Sequence, residues 1–216
     1  MAQTRIALFP LDGVALFPGG LLPLHIFEPR YRQMTEDALA ADRMFAMAIP
    51  SGDAAFDPAP IHPVVCLGEI LRERRLADGR FKFILRGEAR MRIERELPMC
   101  EKLYRSAWAV PLPDRVRPGR STARGLQRSF LLGQLERMLP EANEAALELY
   151  RRVRDARSDG AFADLLAYAA PLPAGVKRDL LCNPQVDERL ELLAESLPPL
   201  VADLEPPSGR RDVSPN

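Results

Sequence analysis

The chain has 216 residues, the length of one large domain or two small ones. Apolar residues make up 47%, enough for a packed core, and 30 Lys and Arg balance 30 Asp and Glu. A formal net charge of zero excludes a global field that draws the chain to nucleic acid or anionic lipid, although a local patch stays open.

The N-terminal stretch "MAQTRIALFPLDG" has no long apolar run, because Asp12 interrupts it, and does not read as a signal peptide. No segment approaches the roughly 20 apolar residues that span a bilayer. Cys66, Cys100 and Cys182 are odd in number and lack C-x-x-C spacing, so reduced, part-buried thiols of a cytoplasmic protein are expected. Lysine is confined to Lys82, Lys102 and Lys177, and the excess of Arg reads as the bias of a GC-rich bacterial genome.

The first half predicts strands. "RIALFP" (5–10) and "LLPLHIF" (21–27) are short apolar runs bounded by Gly and Pro. Pro10, Pro18 and Pro23 each remove a backbone donor, which suits sheet edges or bends. From Tyr31 the period changes to helical, with Tyr31, Met34, Ala38 and Leu39 on one stripe. Pro29 suits the first turn of that helix, and Glu28 suits the positive end of its dipole. "RMFAMAIP" (43–50) returns to strand, and "SGDAAFDPAP" is a loop. "HPVVCLGEILRERRL" (62–76) predicts one long strand or two, with Gly68 at a bend or bulge. Asp78-Gly79 predicts a hairpin turn. Phe81, Phe83 and Leu85 then alternate with charged residues as a half-buried strand that Gly87 breaks, and "LYRSAWAVPL" (103–112) is a further strand. A closed or nearly closed antiparallel barrel is the simplest way to remove the edges of so many short strands.

"PLPDRVRPGRS" (111–121) reads as a linker, and beyond it the pattern is helical. Leu131, Leu135, Met138 and Leu139 share one face. "EANEAALELYRRVRDAR" (141–157) is rich in helix formers. Asp159 is expected to cap a helix carrying Phe162, Leu165, Leu166 and Ala169, ended by Pro171 and Pro173. "AGVKRDLLC" is a short helix. Asn183-Pro184 is expected to start a last helix with Val186, Leu190, Leu193 and Leu197 at offsets 0, 4, 7 and 11. From Glu205 the chain is polar and Pro-rich, and a disordered tail is expected.

Familiar chemistry is missing from these residues. There is no G-x-x-x-x-G-K-[ST], no G-x-G-x-x-G, no H-E-x-x-H and no G-x-S-x-G. His62 and Cys66 share a strand face but stand ~13 Å apart along it, too far to pair. No catalytic residue, cofactor or metal is expected. One stretch gathers groups that could react: "HIFEPRY" (25–31) holds His25, Glu28, Arg30 and Tyr31. It is either an acid/base pair across a strand-to-helix corner, or simply that corner, with Ile26 and Phe27 anchoring the core. Alternation puts Leu22, Leu24 and Ile26 on one face and Pro23, His25 and Phe27 on the other, which favours the corner. The basic residues from Arg72 to Arg95, Arg90 among them, interleave with Glu69, Glu73, Asp78, Glu88, Glu94 and Glu96, the pattern of a solvated face with cross-strand pairs.

"FPLDGVALFPGGLLPLHIFEPRYRQMTEDAL" (9–39) closely resembles the start of the Lon protease N-terminal domain, the Lon substrate-binding domain. The resemblance continues through Gly68, the "DGR" of 78–80, "LRGEARMRI" (85–93) and "FADLLAYAAPLPAGVKRDLLCNPQVDERLELLAESL" (162–197). It covers about residues 5–200. It implies an α+β fold: a PUA-like β pseudo-barrel with one helix over residues 1–115, a helical bundle over 116–204, and a tail over 205–216. In full-length Lon proteases this region precedes an ATPase and a Ser-Lys protease module and helps recognise unfolded or tagged substrates. These residues carry neither the Walker A lysine nor the protease motifs, so the chain resembles a stand-alone, non-catalytic member. The resemblance implies unfolded polypeptides or a specific protein as partner. His25, Phe27, Glu28, Arg30, Tyr31 and Arg32 are the candidate polypeptide-binding residues, with Phe27 and Tyr31 supplying contact area. Nucleic-acid binding is the alternative, by analogy with PUA-like barrels of RNA-modifying proteins, and zero net charge weighs against it. A small-molecule enzyme would rest on His25 and Glu28 alone.

Overall fold

The computed structural model describes residues 3–51, 59–99, 102–138 and 144–204. Strands come first, with one helix among them: β1 (Thr4–Pro10), β2 (Leu21–Ile26), α1 (Pro29–Leu39), β3 (Met44–Ala48), β4 (Val64–Arg75), β5 (Phe81–Leu97) and β6 (Arg105–Pro111). Helices follow: α2 (Ser121–Met138), α3 (Glu144–Arg154), α4 (Asp159–Ala169), α5 (Ala174–Cys182) and α6 (Val186–Leu204). This is the α+β order that the sequence pattern predicts.

The strand order is β2-β5-β4-β3-β1-β6, and β6 also pairs with β5. The 17-residue β5 makes this possible. One edge of it pairs with β4, while the other takes β2 along its first half and β6 along its second. Five strands therefore close a ring, and β2 is added outside it. The result is a pseudo-barrel, not the wholly antiparallel barrel expected, because β1 and β3 run parallel. A parallel pair needs a crossover of a dozen residues or more, and the segment through β2 and α1 supplies one.

Gly68 marks a register shift between β4 and β5, the irregularity that its place in the strand suggests, with the extra residue in β5. Gly87, expected to end a strand, lies within β5 instead. A Cβ there would sit 2.1 Å from the Phe17 carbonyl oxygen, so the glycine admits the 17–20 segment. Gly19 N–H donates to the Gly87 carbonyl (2.8 Å), and Gly87 N–H donates to the Gly20 carbonyl (2.9 Å).

Each ring strand contributes to a small inner cluster: Ile6 and Leu8, Ala46 and Ala48, Val65, Met91, Ala107 and Ala109. Four of these eight side chains are alanine methyls, so little space is left inside the ring. The main core lies outside the ring and runs unbroken into the helices, from Phe9, Phe17, Phe45, Phe83 and Leu85 to Leu131, Phe162, Leu166, Leu190 and Leu193. The predicted stripe of α6 is wholly inside, with Val186, Leu190, Leu193 and Leu197 all buried.

Two predicted caps move. Ser158, not Asp159, caps α4: its Oγ accepts the Ala161 N–H at 3.1 Å. Asp159 sits in the first turn, near the positive end of the helix, and binds Arg124 and Arg128. Asn183 precedes α6 by a short turn, its Oδ1 accepting the Gln185 N–H, and the helix starts at Val186. It then continues through Pro198 and Pro199. The expectations for most of the 51–60 loop, for Cys100, for Leu139 and for the 205–216 tail lie outside the described residues.

Candidate functional site

The corner between β2 and α1 has the geometry its sequence predicts. Glu28 stands at the N-cap, where its carbonyl accepts the N–H groups of Tyr31 (3.1 Å) and Arg32 (2.9 Å). Pro29, which has no N–H to satisfy, fills the first turn. The Glu28 carboxylate leaves the helix end uncapped and takes the Arg30 guanidinium at 2.9 Å. No hydrogen bond joins Glu28 to His25 among the described residues, so the acid/base pair is not assembled.

The six candidate residues divide by environment. Tyr31 is 7% exposed, its ring meeting that of Phe9 edge-on at 4.3 Å. Burial raises its phenol above the ordinary range, against the opposing pull of Arg30, whose guanidinium lies 4.6 Å over the ring. Tyr31 therefore offers little surface to a partner. Phe27 does the reverse. It is 60% exposed, so it is no core anchor, and its ring lies 6.2 Å from that of exposed His25. Arg30 is exposed beside Glu28, and Arg32 packs on the β4–β5 turn, where a Cβ on Gly79 would meet its Nη2 at 2.1 Å. The structure brings His25 to Phe27, and Glu28 to Arg30, while Tyr31 belongs to the core.

His25 also opens onto a groove of about 440 Å³ across the outer face of β2, β5 and β4. The strand register orders this face in rows. Pro23, Ile84 and Leu71 are cross-strand partners in an apolar row; His25, Lys82 and Arg74 are partners in the next. Arg72 joins them from a register irregularity in β4, with φ at 51°. Sequence reasoning treated Arg72, Arg74 and Lys82 only as members of a mixed-charge face. Other charges of that stretch are paired, Arg86 across the strands with Glu69 as expected, but Arg80 with Asp78, Arg86 with Glu88 and Arg92 with Glu94 along the chain.

Arg90 departs from that pattern. It is 4% exposed and reaches away from solvent into the junction of sheet and helices. It donates from Nη1 to Asp164 Oδ2 at 2.7 Å and from Nε to the Leu181 carbonyl at 2.9 Å. Asp164, 2% exposed on α4, also accepts from Arg189 of α6, which is 1% exposed and pairs in turn with Asp114. Burial raises the Asp114 carboxyl, with the neighbouring Arg189 pulling the other way. A second network ties Arg124 to Asp159 (2.8 Å) and Asp187 (3.1 Å), and Asp187 also accepts the Arg117 N–H at 2.8 Å. The segment read as a linker is thereby pinned to α6.

Cys66 is fully buried and Cys182 half-buried, and burial raises both thiols. Among the described residues no three His, Cys, Asp or Glu side chains converge as metal ligands. No described helix is long and apolar enough to cross a membrane.

Comparison with known proteins converges on one family. The sequence model for the ATP-dependent protease La (LON) substrate-binding domain matches residues 5–198. A Lon protease of Xanthomonas oryzae pv. oryzae is 26% identical over 200 residues, covering 89% of this chain and 23% of that protein. Lon protease 1 of Thermus thermophilus is 26% identical over 211 residues, covering 94% of this chain and 25% of the relative. The chain thus spans about a quarter of the length of these relatives. Two solved structures share the fold. The N-terminal domain of the Mycobacterium avium complex Lon protease superposes with a TM-score of 0.71 at 20% identity, covering 94% of this chain and 100% of that one. The Lon N-terminal domain protein of Xanthomonas campestris gives 0.63 at 24% identity, covering 90% and 99%.

Proposed function

The chain belongs to the Lon substrate-binding domain family, and on that premise we propose that it is a non-catalytic, cytoplasmic module that binds polypeptide segments. The observation that carries this reading is Phe27, an aromatic side chain left 60% exposed where β2 ends, beside a groove on the sheet's outer face. A ring held in water forgoes about 1.5–3 kcal/mol of burial free energy, which a partner's apolar side chain can recover. Among the described residues β2 pairs with β5 alone, so its far side, beyond the Leu21 carbonyl that Tyr168 occupies, offers an edge to an extended chain. In this reading residues 1–115 carry the binding surface with His25, Phe27, Glu28, Arg30 and Arg32 around it, and residues 116–204 buttress it. Proteins, not nucleic acids, are the partners.

The test is fluorescence anisotropy of a labelled, permanently unfolded polypeptide titrated with the protein. Micromolar, saturable binding is expected, with Phe27→Ser weakening it about tenfold while the melting temperature is unchanged. No saturation by about 100 μM, equivalent to less than roughly 5–6 kcal/mol, refutes the reading.

A further inference from the structure

The outer face of β2, β5 and β4 treats its charges in two different ways. In one row Leu21, Arg86 and Glu69 are cross-strand partners, and Arg86 forms an ion pair with Glu69. The next row is the apolar one of Pro23, Ile84 and Leu71. The one after it sets His25, Lys82 and Arg74 directly opposite one another. Among the described residues no carboxylate pairs with His25, Lys82, Arg74 or the neighbouring Arg72. The nearby acids are engaged elsewhere: Glu73 by Arg43, Glu36 by Arg75 and Asp78 by Arg80. Lys82 and Arg74 are like charges facing each other across strands, which destabilises a sheet, so this row carries a standing cost that an anion would relieve.

The spacing says what kind of anion. Same-face residues along a strand repeat every two positions, about 6.6–6.8 Å, and this is the separation of the apolar row from the cationic one. An extended polypeptide has the same period. A segment aligned with the strands can lay an apolar side chain on Pro23 and Ile84 and, two residues on, an acidic one among Lys82, Arg74 and Arg72. Two residues further, it meets Phe27, which follows His25 on the same side and touches its ring edge-on. We propose that this groove binds extended acidic segments of the pattern apolar-x-acidic-x-apolar. The inference rests on the polypeptide-binding reading above and adds the chemical class of the segment. A single-stranded nucleic acid would also bring anions, but its charges are continuous, whereas here one cationic row is bounded by an apolar row on one side and an aromatic ring on the other.

The experiment uses the whole chain and two labelled peptides, Ser-Leu-Ser-Glu-Ser-Phe-Ser and the same peptide with Gln for Glu. The Glu peptide is expected to bind about tenfold more tightly, and the ratio is expected to fall to near one in a Lys82→Ala, Arg74→Ala double variant. In Lys82→Glu the preference for the Glu peptide should shrink, since the new carboxylate lies opposite Arg74 and competes for it. The free Lys82→Glu protein should melt no lower than the parent, since the substitution removes the like-charge row, and this reports that the fold is intact. Equal binding of Glu and Gln peptides, or a preference that survives the double variant, overturns the proposal. If the unfolded polypeptide still binds in that case, the broader function stands and only the acidic selectivity falls. Displacement of the Glu peptide by an equal concentration of oligouridylate also overturns it, in favour of nucleic acid.

Discussion

Replacing Asp164 with Asn tests whether the sheet–helix junction depends on its buried charges. The carboxylate is 2% exposed and lies between the guanidiniums of Arg90 and Arg189, themselves 4% and 1% exposed. The amide keeps the volume but removes the charge that neutralises both. Arg90 retains the Leu181 carbonyl and a 3.5 Å approach to Asp114, and Arg189 retains Asp114 alone. Two buried cations would then share one carboxylate, and that carboxylate is itself partly in water. Breaking a buried pair by removing one partner costs about 3–5 kcal/mol, because an uncompensated charge stays behind. With a urea slope of about 2–3 kcal/mol/M, the midpoint should fall by about 1–2.5 M. Two probes follow it: fluorescence of Trp108, the chain's one tryptophan, on β6 of the ring, and far-UV circular dichroism of the helices. Both transitions should shift together, since the main core runs through both halves. A combined Arg90→Met, Asp164→Leu, Arg189→Met variant should recover part of the loss, because the charge it leaves without a partner, Asp114, is partly in water. A midpoint shift worth less than about 1 kcal/mol for Asp164→Asn would show that water reaches the network and would refute the reasoning.

Gly87→Ala should destabilise the chain by about 1–3 kcal/mol or more in the same denaturation assay, since the new methyl meets the Phe17 carbonyl, a backbone atom that cannot rotate away. Asp187→Asn should show a pH-dependent penalty. Burial alone would raise the Asp187 carboxyl, but the Arg117 N–H and the Arg124 guanidinium outweigh it and hold the group below its ordinary value. A depressed carboxylate contributes its stability above the unfolded value near 4 and loses it as pH falls through the folded value. The gap between parent and variant melting temperatures should therefore be full at pH 7 and close progressively below about pH 4; a gap independent of pH would contradict it.

Where a single periodicity governs an element, the sequence reveals the structure. The α6 stripe at offsets 0, 4, 7 and 11 is buried throughout, and the register between β4 and β5 shifts at Gly68. The parallel pairing of β1 with β3 is not legible, because two short apolar runs separated by a helix carry no mark of their mutual direction. Arg90 is hidden for a more specific reason. Gly68 opposes Gly87 and Leu67 opposes Ala89, so Glu88 is an extra residue in β5. A one-residue insertion exchanges the faces of everything after it. Counting by twos from Phe81, Phe83 and Leu85 puts Arg90 in water; counting past the bulge puts it against the helices. Nothing in the composition of "RGEAR" announces which count holds.

At the corner, two arguments from the sequence disagreed, and the structure follows the one based on period. Tyr31, Met34 and Ala38 lie on a helical stripe, which predicts burial, whereas the candidate binding set gave Tyr31 contact area for a partner; all three are buried. The basic row has a different origin. A balance of 30 cations against 30 anions describes the sum over the chain and says nothing about its grain. Pairing is decided by register, which places Arg86 beside Glu69 but sets His25, Lys82 and Arg74 in line. Because charges beyond about 8–10 Å are screened at physiological salt, an approaching segment responds to that row and not to the neutral total. A chain with no net charge can therefore discriminate by charge on one face, and raising the salt should erase the discrimination between Glu and Gln peptides while sparing contacts to Phe27 and Ile84.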